Sequence, residues 1–280
     1  MNESNGIDAL LPPDIAKRAE QVGIKKAGMD AASVFTLALL AGGFVGVGAV
    51  FATTTVSGAA GILPYGVTRL LAGVVFSLGL ILIVVAGGEL FTGNNLIVMA
   101  WASRKVSTKA LVRNWVLVYA GNFVGAILTA GLMYLTKQYA AGGGAVGKAA
   151  LNIANDKVHL EFMQAVALGM MCNALVCVAV WLTYGARSTT DKIMAIIFPI
   201  TAFVSAGFEH SIANMYYIPF ALLIKQFDSD FAAAQGLSAP DLTVQSFVID
   251  NLLPVTIGNI IGGSVMVAII YWFVYLRPQK

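Results

Sequence analysis

Two short stretches decide how this chain folds: Gly88-Glu89-Leu90-Phe91-Thr92-Gly93-Asn94 and Gly207-Phe208-Glu209-His210-Ser211-Ile212-Ala213-Asn214. Each interrupts a long apolar run, and each places an asparagine five positions after a glutamate. The charge-free segments they open, 90–103 and 211–224, hold 14 residues each, about 21 Å as helix. That is too short to cross a hydrocarbon core of about 30 Å. Segments 70–103 and 193–224 are therefore each either two spans or one span broken in the middle.

The rest of the chain supplies the arbiter. Of its 280 residues 58% are hydrophobic and 11% charged, with mean hydropathy +0.81, whereas soluble domains carry about 25% charge. A water-exposed globular surface is excluded. A formal charge of +3 without a long basic block also excludes disordered and nucleic-acid-binding classes. Runs 114–136, 162–186 and 251–276 each fit one span, and 31–68 fits a span plus a loop. Cys172 and Cys177 share one apolar segment and face apart on a helix, so no disulfide framework is expected. The polar, charged first 30 residues do not read as a cleaved signal.

If each interrupted segment counts once, Lys17, Arg18, Lys25, Lys26, Arg104, Lys105, Lys109, Arg113, Arg187, Lys192, Arg277 and Lys280 fall on one side. Only Arg69, Lys137, Lys148, Lys157 and Lys225 fall on the other. This positive-inside bias predicts an all-α membrane protein of six spans with both termini cytoplasmic. The expected division is a cytoplasmic N-terminal segment with a helix (1–30), a first three-span repeat (31–136), a periplasmic loop (137–160), a second repeat (161–276) and a cytoplasmic tail (277–280).

The repeat is legible. The third and sixth spans share N-x6-G-N-x-x-G, running from Asn114 through Gly121-Asn122 to Gly125 and from Asn251 through Gly258-Asn259 to Gly262. The first and fourth are expected to align as Phe35/Phe162, Ala38/Ala165 and Gly42/Gly169. Three spans is an odd number, so the second copy enters from the opposite face, the inverted 3+3 architecture in which broken helices build a transport site. Thr92 and Ser211 read as N-caps of the second half-helices. Two inward N-termini would offer unpaired N–H groups and positive dipole ends, a setting for a small anion; capping alone is the plainer role. His210 is the only histidine within a span and lies at a break. It is either a hydrogen-bonded structural group or a proton or charge carrier near neutral pH. Glu89 and Glu209, with Asn94 and Asn214, are expected to hold broken backbone. Phe76, Leu80, Leu90 and Phe203 read first as core packing, and no metal site is expected. Three Gly-x3-Gly faces, at Gly42, Gly121 and Gly258, serve either the protomer interior or an oligomer interface.

At these residues the chain resembles the formate/nitrite transporter family, most closely its formate channel branch. The carriers are Gly88 to Asn94, Gly207-Phe208-Glu209-His210 with Asn214 following, and Gly258-Asn259-Ile260-Ile261-Gly262. The resemblance implies an aquaporin-like protomer, a pentamer with one pore per protomer, and a bacterial inner membrane. It implies that His210 is the central pore histidine and Thr92 its partner. Phe76 and Phe203 would form an outer constriction, Leu80 and Leu90 an inner one, with Lys157, Asn173, Val176 and Asn259 near the pore and the N-terminal helix taking part in gating. The implied partners are formate or a similar small anion, the lipid bilayer and further copies of the chain; no cofactor is implied. Nitrite or hydrosulfide as cargo, or a neutral-solute channel, stay open. An intramembrane hydrolase built on Glu209, His210 and Ser211 does not fit, because consecutive residues on a helix do not face one another.

Overall fold

The computed structural model describes residues 9–236 and 239–278. Residues 1–8 of the expected N-terminal segment, and Gln279 and Lys280 of the tail, lie outside the described residues. Every regular element among the described residues is helical.

Helix α1 (Pro12–Gly28) starts on proline and ends with Lys25 and Lys26 in its last turn, as a helix dipole favours. It buries Ile15, Ala16, Ala19, Gly23 and Ala27 along one face. Helix α2 (Ala31–Val56) is capped by Asp30, which accepts the Ser33 N–H. Helix α3 (Tyr65–Gly87) widens over its last turn, Ile83–Gly87. A short helical segment, α4 (91–102), follows the first break. Helix α5 (Thr108–Leu135) is capped by Ser107. The expected loop 137–160 is instead mostly helix: α6 (Ala145–Val158) packs on the helix after the second break. Helix α7 (Phe162–Gly185) begins on a Glu161/Gln164 capping box. Helices α8 (Thr189–Ser205) and α9 (Ser211–Phe227) flank the second break. The short α10 (Ser229–Ala234) and the long α11 (Ser246–Tyr275) complete the chain.

Five helices, α2, α3, α5, α7 and α11, are long and apolar enough to cross a membrane by length and composition. Glycines set their closest approaches. A Cβ on Gly121 would meet the Phe35 carbonyl at 2.9 Å, and a Cβ on Gly125 would run into the Leu39 carbonyl. The same clash awaits Gly258 at the Val166 carbonyl and Gly262 at the Met170 carbonyl. The Gly-x3-Gly faces of α5 and α11 thus pack inside the chain, on α2 and α7. These contacts also correct the expected register. Phe35 corresponds to Val166, not Phe162, one helical turn further along.

Candidate functional site

Each break uses a glycine with positive φ: Gly87 (99°) in the first and Gly207 (76°) in the second. Only glycine adopts this conformation without steric cost. Three non-helical residues, 88–90 and 208–210, then lead into the next helix, and buried backbone groups there each need a partner. The partners come from a neighbouring helix. Asn122 of α5 accepts the Phe91 N–H (2.9 Å) and donates to the carbonyls of Glu89 (2.9 Å) and Ala38 (2.7 Å). Asn259 of α11 repeats this with the Ser211 N–H (2.9 Å), the Glu209 carbonyl (2.9 Å) and the Gly169 carbonyl (2.8 Å). The Glu89 N–H reaches Leu37 and the Glu209 N–H reaches Leu168.

The carboxylates are spent on the same scaffold. Glu89 accepts from Lys26 Nζ (2.7 Å) and Asn94 Nδ2 (2.7 Å); Glu209 accepts from Lys157 Nζ (2.6 Å) and Asn214 Nδ2 (2.7 Å). Asn94 and Asn214 donate in turn to Asn114 and Asn251, whose own amides reach the Lys26 and Lys157 carbonyls. The network differs in two places. Asn251 Nδ2 also donates to Glu209 Oε2 (3.4 Å), a bond that Asn114 does not repeat toward Glu89 among the described residues. Lys26 also donates to Asn94 Oδ1 (3.0 Å), whereas Asn214 Oδ1 has no partner among the described residues.

The expected N-caps are not where the sequence suggested. Thr92 is the second residue of α4, whose N-cap is Leu90 without a side-chain cap. Ser211 is the first residue of α9, and its buried hydroxyl has no partner among the described residues. The cap of α9 is His210, whose Nδ1 accepts the Ala213 N–H at 3.1 Å. Nor is the leading N–H of either half-helix unpaired, because Asn122 and Asn259 hold them.

His210 is buried, and its Nε2 lies 3.0 Å from Thr92 Oγ1. An Nδ1 that accepts carries no hydrogen, so the capping ring is neutral with its proton on Nε2. The Nε2–H then donates to Thr92, and the Thr92 hydroxyl keeps its own hydrogen for another acceptor.

Around this pair the expected constriction residues converge. A neck of about 10 Å³, room for one water centre, is lined by Phe76, Leu80, Leu90, Val176, Phe203 and His210. The Phe76 and Phe203 rings meet edge to face at 5.8 Å. On one side of the neck opens a cavity of about 330 Å³ bearing Arg69, Asp156, Lys157, Glu209, His210 and Tyr217. On the other opens one of about 420 Å³ bearing Lys25, Lys26, Glu89, Leu80 and Leu90. Lys157 also lies 5.6 Å from the Tyr217 ring centroid.

Asn173 and Asn259 line none of these spaces. Asn173 donates to the Asn259 carbonyl at 2.6 Å, so both act as struts behind the break. The sequence reading passed over the roles of Lys26, Asn114, Asn122 and Asn251. The shared N-x6-G-N-x-x-G spacing was the available signal for three of them; for Lys26 it was its place at the end of a helix.

The family model described as Formate/nitrite transporter matches residues 13–273. Formate channel FocA of Escherichia coli (strain K12) is 46% identical over 284 residues, covering 100% of this chain and 99% of its own length. Formate channel FocB of the same strain is 38% identical over 283 residues, covering the whole of both. Among solved structures, a pentameric formate channel with formate bound superposes with TM-score 0.83 at 50% identity, covering 88% of this chain and 98% of that one. An FNT family ion channel superposes with TM-score 0.77 at 25% identity, covering 93% and 98%.

Proposed function

This chain belongs to the formate/nitrite transporter family, and we propose that it is a membrane channel for formate and similar small monovalent anions, not an enzyme, working as a homopentamer with one pore in each protomer. One observation carries this reading: the buried Thr92–His210 pair sits beside an apolar neck that separates two wide, partly charged cavities.

We read six spans in an aquaporin-like inverted 3+3 arrangement, with α3 and α4 forming the second and α8 and α9 the fifth. The Lys/Arg distribution and the twice-built Lys–Glu–Asn network support it. The same distribution supports cytoplasmic termini, in a bacterial inner membrane. The cavity bearing Lys157 is then the outer vestibule and the one bearing Lys26 the inner.

A carboxylate entering the neck loses its water shell, at a cost of several kcal/mol if nothing replaces it. Lysines in both vestibules favour the anion up to the apolar rings. At the neck His210 is the polar lining side chain, and its Nε2–H, shared with the buried Thr92 hydroxyl behind it, is the donor on offer. Flux coupled to a proton fits this arrangement if the proton joins the anion itself and the neutral acid passes the rings. An imidazolium would carry hydrogens on both nitrogens and give up the Ala213 cap.

Formate influx into liposomes over about pH 5–8, spanning the ~6.5 reference value of histidine, tests the reading. His210→Asn keeps a capping oxygen and loses the ring donor, so influx is expected to fall about 10–100-fold across that range. Unchanged influx in His210→Phe across that range would show the histidine role to be wrong. Nitrite and hydrosulfide in the same preparation rank the cargo, and water flux without anion current would favour a neutral-solute channel.

A further inference from the structure

The outer ring of the neck is made by two aromatic side chains on different helices, Phe76 on α3 and Phe203 on α8. Its aperture depends on what holds these helices together at that level. The face of α3 that meets α8 runs through Arg69, Gly73, Phe76 and Ser77, spaced as one helical stripe. At Gly73 a Cβ would stand 2.7 Å from the Thr201 carbonyl, and Ser77 Oγ donates to the Ile197 carbonyl at 3.4 Å. At the outer end of the stripe Arg69 grips the last turn of α8. Its Nε donates to the Ser205 carbonyl (3.3 Å), an Nη2 hydrogen goes to the Val204 carbonyl, and Ser205 Oγ returns a bond to the Arg69 carbonyl (3.1 Å). These carbonyls belong to the end of α8, where helical partners run out and a cation is favoured. Phe203 lies in the same last turn, immediately before the break.

The geometry points to Arg69 as a positioning residue that sets the width of the outer ring, and with it the discrimination between formate and larger monocarboxylates. The inference rests on the channel reading above. Its physical content is a chain of contacts: the fixed guanidinium fork anchors Val204 and Ser205, which seat Phe203 edge-on against Phe76. Releasing the fork frees the end of α8 next to Gly207, and the ring yields to a solute one methyl group wider. A well-packed apolar site discriminates one such group by about 10–200-fold; losing the anchor is expected to forfeit about tenfold of that.

The test is the acetate-to-formate flux ratio in liposomes for the full chain, Arg69→Met, Arg69→Lys and Ser205→Ala. Arg69→Met, which also removes a cation from the outer cavity, is expected to raise the ratio about tenfold whatever the change in total formate flux. Arg69→Lys, a point charge without the fork, should give an intermediate ratio, and Ser205→Ala, which removes only the returning bond, a smaller rise. A merely structural arginine would lower both fluxes together. An unchanged or falling ratio in Arg69→Met overturns the proposal, and should that variant not fold, a flat ratio in Ser205→Ala and Arg69→Lys does so. The wild-type arm separates the two ideas: no formate flux there removes the channel reading, whereas formate flux with flat ratios removes only the clamp.

Discussion

The two breaks share a scaffold and differ in chemistry. Counted from Glu89 and Glu209, Leu90 occupies the place of His210, Phe91 that of Ser211, and Thr92 that of Ile212. Both copies spend glutamate, lysine and three asparagines on holding irregular backbone. One then presents a leucine and a threonine, the other a histidine and a buried isoleucine. The Thr92–His210 pair is thus assembled from non-equivalent positions of two similar halves. A symmetric scaffold fixes where two half-helices begin, and the two or three residues at each start are left to specialise.

The largest expected effects break the scaffold and fall equally on both copies. Asn259→Leu strands the Ser211 N–H and the Glu209 carbonyl and takes a second donor from the helical Gly169 carbonyl. Asn122→Leu strands the Phe91 N–H and the Glu89 carbonyl and takes a second donor from the helical Ala38 carbonyl. Each stranded buried group costs about 1–3 kcal/mol, so with two such groups either substitution should cost roughly 2–6 kcal/mol and strongly destabilise the folded protein in detergent. Thermal unfolding followed by circular dichroism checks this. If one variant melts like wild type, the two breaks are not held alike.

The carboxylates should reveal the extra amide contact that Lys26 makes and Lys157 lacks. Removing one partner of a buried ion pair costs about 3–5 kcal/mol. Lys26 and Lys157 are 22% and 15% exposed, which lowers that figure. Lys26 also keeps Asn94 Oδ1 when Glu89 is lost, whereas Lys157 has only the Tyr217 ring. Glu209→Gln is therefore expected to cost about 3 kcal/mol and Glu89→Gln about 2. Equal losses would mean that the extra amide contact is worth nothing.

Next comes the specialisation itself. Thr92→Val is nearly isosteric and removes the acceptor of the His210 Nε2–H, so formate flux should fall about tenfold, equivalent to about 1.4 kcal/mol in the barrier. Ile212→Thr, at the equivalent place in the other half, should leave flux within about twofold, because Ile212 packs in the apolar core and partners no pore group, whereas Thr92 is the partner of His210 Nε2. Parallel losses in a single liposome assay would contradict the asymmetric site.

The amino-acid sequence revealed the breaks because a lone charge inside an apolar run is conspicuous, and it revealed the repeat because N-x6-G-N-x-x-G is a long, spaced pattern. The first and fourth spans were misaligned by one turn because phenylalanine, alanine and glycine recur on any such helix; the carbonyls facing Gly121 and Gly258 fix the register only in three dimensions. Thr92 and Ser211 looked like caps by local rules, but the groups that pair the break come from Asn122 and Asn259, distant in sequence. Lys26 was indistinguishable from its neighbours because a charged surface helix says nothing about which lysine points inward. The constriction residues carried no local signal beyond apolarity, so only family resemblance singled them out.

The smallest expected effect sharpens the comparison at the corners that precede each repeat. Counted from Lys26 and Lys157, Gly28 stands where the other half has His159. The two histidines of the chain are opposites. His210 Nδ1 faces an N–H, whereas His159 faces acceptors on both sides, the Asn155 carbonyl at 2.7 Å and Asp241 Oδ2 at 3.2 Å. A ring between two acceptors favours the protonated form, and the Asn155 carbonyl, then Asp241, raises the His159 pKa above its ordinary 6.5. Its stabilising share is complete below that ordinary value and is lost as pH rises through the folded one. Asp30, capping α2 in the other half, runs the opposite way. The Ser33 N–H lowers its pKa below 3.8, so its share is complete above 3.8 and is lost as pH falls through the folded value. Both groups are solvent-exposed, so the effects are small. The melting-temperature gap between wild type and His159→Gln is expected to close as pH rises above 6.5, and the gap to Asp30→Ala to close as pH falls below 3.8. Gaps that close on the same side would mean that the two corners, like the two networks behind them, are not distinguished by charge.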